Sequence, residues 1–159
     1  MTSWDRSRGR PEPIHALNRV PEYENGEPLV DLREVAPSLL LLRPQVIPYA
    51  RLSVARMCEQ AAKNLPQGLR LGVVEAWRPI ERQQRIFDFF WRSAIEAYPH
   101  RDYRALRRTV CRWAAPTDQK APPGHCTGGA VDIWLVDDQE EPVDVSSPFD
   151  RFHAAPTYS

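Results

Sequence analysis

The 159-residue sequence is short of several things. It has seven glycines, three cysteines and two methionines. Cys58, Cys111 and Cys126 are odd in number and widely spaced, with no C-x-x-C pair. That fits reduced thiols in a cytosol better than a disulfide framework. No run approaches the roughly 18 consecutive apolar residues of a membrane-spanning helix, so no membrane partner is expected. The opening MTSWDRSRGRPEPIHALNRV is basic but has no apolar h-region and no small-residue cleavage site. No secretory signal is read there, and the expected compartment is the cytoplasm. Net charge is missing too, since 21 basic residues balance 21 acidic ones. That balance argues against a nucleic-acid or polybasic membrane binder, while leaving room for a local patch. There is no internal repeat and no low-complexity segment.

What is present describes a soluble globular domain. Hydrophobic residues make up 42% and charged residues 26%, in a chain long enough for about one domain with a real core. Sixteen prolines, spread along the sequence, are roughly twice the usual share of about 5% and predict many loops and short elements. Residues 1–28 are polar and proline-punctuated and read as an N-terminal arm; residues 29–159 read as the domain. EPLVDLREV reads as a strand or a loop edge. From Tyr49 to Leu65 the apolar residues Leu52, Ala55, Cys58, Ala62 and Leu65 recur at helical steps, and Pro66 with Gly68 ends that helix. GLRLGVVEAW alternates like a strand. Pro79 suits the first position of a second helix, whose apolar face would include Ile86, Phe89, Phe90 and Ile95. The segment from His100 to Lys120 is basic and ambiguous. AVDIWLV reads as a second core strand, DDQEEP as a turn, and PVDV as its hairpin return. The order predicts an α+β fold, a small antiparallel sheet with helices packed on it.

Three of the seven glycines crowd into PPGHCTGGAVDIWL, around His125 and seven residues ahead of Asp132. A His and an Asp at that spacing do not sit side by side on one helical face. Gly128 and Gly129 allow a loop that bends into a strand, with the His on the loop and the Asp at the strand start. Imidazole nitrogen and carboxylate oxygen are both good zinc ligands. On spacing alone, the favoured reading is a glycine turn before a buried strand, with Asp132 capping backbone amides.

The wider residue set adds a resemblance. HCTGGAVDIWL resembles the H-x-x-G-x-A-x-D stretch of the zinc D-alanyl-D-alanine dipeptidases, with His125, Gly128, Ala130 and Asp132 in the matching places. VVEAWRPIERQQRIFDFFW is similar to that family's strand, aromatic, Arg-Pro, helix segment. PVDVSSPFDRF is similar to its short stretch ending in Phe-Asp. The three blocks keep the family's order, and the resemblance covers roughly residues 25 to 155. It implies a zinc cofactor with His125 and Asp132 as two of three ligands, and a small dipeptide substrate. Arg78 would reach the scissile carbonyl and stabilise its developing oxyanion; its plainer role is a salt bridge tying strand to helix. Asp150 would hold the dipeptide ammonium; its plainer role is a solvated or capping carboxylate.

The sequence also departs from the pattern. Pro123 and Gly124 stand where the family often has a small hydroxyl residue that helps hold substrate. Cys126 follows His125, but neighbours on an extended segment point to opposite faces, so it reads as a small core residue rather than a nucleophile. The family completes its site with a late E-x-x-H, the Glu as general base and the His as third ligand. No E-x-x-H follows Asp132 in these residues, and His153, the only later histidine, matches a loop outside the family's metal site. The expectation is therefore a dipeptidase-like chain cut short and impaired in hydrolysis. The alternatives are an inactive peptide-binding relative, or a related D,D-carboxypeptidase or endopeptidase of peptidoglycan. The oligomeric state is not legible.

Overall fold

A computed structural model describes residues 14–17, 19–20 and 24–143. Asp150 and His153 lie outside the described residues, as do all but the first two residues of the PVDV segment. A single helical turn, α1 (Ile14–Leu17), precedes β1 (Leu29–Asp31), α2 (Leu32–Val35), β2 (Leu40–Leu41) and β3 (Tyr49–Arg51). Then come α3 (Leu52–Lys63), β4 (Leu69–Glu75), α4 (Ile80–Ala97), α5 (Tyr103–Val110), a 3-10 turn (Gly124–Thr127) and β5 (Asp132–Asp137). The fold is α+β, as the order of patterns predicts. No described helix is long and apolar enough to cross a membrane.

Two small sheets carry the strands. β1 pairs antiparallel with β3, while β4 is the centre of a three-stranded sheet in the order β2-β4-β5. β5 runs antiparallel to β4 and β2 runs parallel to it, so this sheet is mixed. A parallel pair needs a long crossover, and β3 with α3 supplies it. Leu42 packs where a side chain at Gly72 would otherwise stand, so the absent Cβ lets the β2 edge close onto β4.

The main core lies between α2, β3, α3 and β4, from Leu32, Ala36, Val46, Ala50, Ala55, Val73 and Ala76. Four of these seven are alanines, which lets backbones approach closely. A second cluster, Phe87, Ala94, Leu106, Val110, Cys111 and Ala114, seats α5 against α4. Asp102 caps α5 by accepting from the Ala105 amide at 2.8 Å, and Arg107 and Arg108 stand in its last turn, where cations suit the helix dipole.

Local periodicity misplaces two features. Tyr49–Arg51 begins the predicted helix but is strand, because its partner β1 lies some 20 residues earlier in the chain, outside any helical window. The α4 face is met in part: Ile86 and Phe90 pack against the second cluster as expected, but Phe89 is 58% exposed and Ile95 44% exposed, while Gln83, Phe87 and Ala94 are buried. In IFDFFW nearly every direction is apolar, so the sequence does not say which side α5 will cover.

Candidate active site

His125 owes its position to a backbone lattice around the 3-10 turn. Pro123 opens the turn and Gly128 closes it at φ 72°, the left-handed region that favours glycine. A Cβ on Gly128 would run into the Leu29 side chain, so the turn sits directly on the β1–β3 ribbon. Arg51 staples it there. Its amide donates to the Gly128 carbonyl at 2.9 Å, and its Nε donates to the Thr127 carbonyl at 2.9 Å. Its remaining nitrogens reach Glu24 at 2.7 Å and the Glu27 carbonyl at 2.7 Å. On the other side, the Arg78 amide donates to the His125 carbonyl at 3.1 Å, and the Trp77 indole donates to the Cys126 carbonyl at 3.3 Å. The exit of β4 and the turn are thus laced together.

Asp132 arrives from the opposite strand. It pairs in register with Glu75 across a bulge between Val73 and Glu75. Bulges re-aim side chains beside functional sites, and here the result is a close approach: His125 Nε2 lies 3.4 Å from Asp132 Oδ1. The other ring nitrogen, Nδ1, lies 3.0 Å from the Ala76 carbonyl. A carbonyl only accepts, so Nδ1 carries the hydrogen. In the neutral ring, Nε2 then points a lone pair at a carboxylate oxygen. A proton or another cation in the gap would satisfy both groups at once. The electrostatics agree. The Asp132 hydrogen bond raises the His125 pKa against the opposing effect of burial. The same contact holds the carboxyl of Asp132, a side chain more than half exposed, below its ordinary range.

The pair also suits a metal. A ligating imidazole commonly donates its second N–H to a backbone carbonyl, which fixes the tautomer and the ring plane. Ligands about 2.0–2.1 Å from a tetrahedral zinc stand roughly 3.3 Å apart, near the 3.4 Å seen here. These residues fit two corners of such a site. Among the described residues no group of three or more His, Cys, Asp or Glu side chains comes together.

Arg78 lies close enough that its charge acts on both His125 and Asp132. Its guanidinium is nonetheless engaged. Nε donates to Glu75 at 2.8 Å, Nη2 donates to the other Glu75 oxygen, and Nη1 donates to Gln83. Arg82 reaches the same Glu75 at 3.5 Å. Burial pushes the Glu75 carboxyl up, but the bond and charge of Arg78, with Arg82 behind it, hold it below the usual range. Strand and helix are tied by this ion pair, and Arg78 stands beside the His125–Asp132 pair as well. Cys126 is no nucleophile in waiting: burial raises its thiol pKa, and the reactive form of cysteine is the thiolate. Glu141 sits in the exposed turn after β5, where its backbone bonds Asp137.

Three partners were not legible in advance. Glu75 ends β4 three residues before Arg78, and the salt bridge expected of Arg78 came with no partner marked. Arg51 lay inside an expected helix. Gln83 looked like the polar face of α4, with nothing to mark it as buried.

A fixed histidine thus faces a carboxylate with an anchored arginine beside them, in a chain with a weak family-level resemblance to one named dipeptidase. The chain is similar to a protein named D-alanyl-D-alanine dipeptidase from Synechocystis sp., with 27% identity over 164 residues. The match takes in 89% of this chain, which spans 66% of that relative's length. No family model matches the chain, and no solved structure matches it.

Proposed function

We propose that the chain is a zinc-dependent hydrolase of the D-alanyl-D-alanine dipeptidase kind, cleaving a small D-dipeptide of peptidoglycan metabolism. The observation that carries the reading is the ring of His125, locked by Ala76 with Nε2 facing Asp132 at 3.4 Å. The named Synechocystis relative supports the choice of substrate. His125 and Asp132 are the two zinc ligands in this reading, and zinc, when bound, supplies an activated water and a Lewis acid.

The chain's own residues do the rest. Arg78, gripped along one edge by Glu75, offers guanidinium hydrogens to the scissile carbonyl oxygen as charge builds on it. Asp150 is proposed to hold the dipeptide ammonium. The three cysteines are free, which suits a cytoplasmic protein, and that compartment is part of the proposal.

A catalytic zinc needs a third protein ligand and a general base. The described residues bring no third ligand to the pair and no E-x-x-H follows Asp132 in the sequence, so these 159 residues are proposed to hold zinc weakly and turn over slowly. That same shortfall favours a second reading, a peptide-binding relative that does not cleave. Assay of D-alanine release from D-Ala-D-Ala, with and without zinc and with Asp132→Ala as control, separates the two. Slow release that needs both zinc and Asp132 supports the hydrolase. Dipeptide binding with no such release supports the binder.

A further inference from the structure

Gln83 is 1% exposed, and it is one of two buried polar side chains among the described residues. Its neighbours on the buried stripe of α4 are Phe87 and Ala94, so packing alone calls for an apolar residue. A primary amide is kept in such a place when both of its ends are bonded. Here both are. The oxygen accepts from Arg78 Nη1, and the nitrogen donates to the Ala115 carbonyl at 2.7 Å. Only one orientation of the amide satisfies both, because the guanidinium cannot accept and the carbonyl cannot donate.

We propose that Gln83 is the positioning residue for Arg78, fixing the guanidinium so that one hydrogen on each Nη stays available to a ligand oxygen. The count supports it. A guanidinium has five N–H groups, and three are committed: two to Glu75 and one to Gln83. Glu75 grips one edge of the fork and by itself leaves the plane free to swing about that edge. Gln83, anchored through Ala115 to the segment after α5, removes the swing. Two donors held in a fixed plane are what recognition of a carbonyl or carboxylate oxygen requires. The proposal rests on the functional reading for the ligand that Arg78 meets, but not for the geometry.

The test reads Arg78 directly in the metal-free protein. Side-chain nitrogen NMR of wild type, assigned with Arg78→Lys, is expected to show separate, slowly exchanging Nη hydrogens. Gln83→Met keeps the length and removes the acceptor; it is expected to average those signals while the β4 and β5 amides keep their shifts. Averaged Nη signals in wild type overturn the proposal, even when the methionine variant fails to fold. So does a methionine variant whose Arg78 signals match wild type. Zinc and dipeptide take no part in this measurement, so failure of the hydrolase reading, seen as absent zinc- and Asp132-dependent release, is told apart from failure of the positioning role.

Discussion

His125 and Asp132 face each other across 3.4 Å while the far nitrogen of the same ring is tied to the Ala76 carbonyl. The relationship joins three pieces of chain: the end of β4, the 3-10 turn and the start of β5. None of them holds the pair alone. The turn owes its shape to Gly128 and its seat to Leu29 and Arg51. The strand end owes its aim to the bulge at Glu75.

Gly128→Ala is therefore expected to be costly. An L-residue at φ 72° pays roughly 1–2 kcal/mol for the left-handed backbone, and the new methyl group meets Leu29 as well. Chemical denaturation should show a loss of at least that size. Adding Leu29→Ala should recover the steric part, so that the two losses are less than additive. Strict additivity would mean that Leu29 does not press on the turn.

Arg51→Lys keeps the charge and loses the fork. A lysine cannot serve the Thr127 carbonyl, the Glu27 carbonyl and the Glu24 carboxylate together, as Arg51 does. The expected result is a lower Tm and faster amide exchange at Thr127 and Gly128. The same exchange rates in variant and wild type would remove Arg51 from the support of the turn.

How much of this was readable in the sequence depends on what kind of cause placed each residue. β4, α4 and β5 were legible because each is long enough for its own periodicity to show. The His125–Asp132 approach was legible as a possibility, through the glycines that permit it. β3 was not legible, because its strand state comes from pairing with β1, a distant segment, and overrides the helical pattern of Tyr49–Arg51. Gln83 and Glu75 were not legible as parts of the site either. Nothing in a polar residue's identity says that the fold will bury it and give it a guanidinium to bind. The placement of Asp150 falls outside the described residues and remains a proposal.

Acid should reveal a second tie, remote from the site. Glu59 accepts from the Ser38 amide and hydroxyl, each at 2.9 Å, and from Lys63 at 2.9 Å. The Lys63 bond, with those of Ser38, holds its carboxyl below the ordinary value. A depressed carboxylate stabilises the fold above the unfolded pKa of about 4.3. That contribution is lost as pH falls through the lower folded value. Wild type should melt above Glu59→Gln at neutral pH, and the gap should close as the medium is taken below pH ~4. A gap independent of pH would assign the difference to packing.

Whether the His125–Asp132 gap takes a cation is read at the His125 ring, by zinc titration of nitrogen-labelled protein. The predicted result is that zinc shifts the Nε2 resonance, leaves the Nδ1 hydrogen on the Ala76 carbonyl in place, and binds at least tenfold more weakly to Asp132→Ala. Zinc that leaves Nε2 unmoved, or that binds wild type and Asp132→Ala alike, would contradict it.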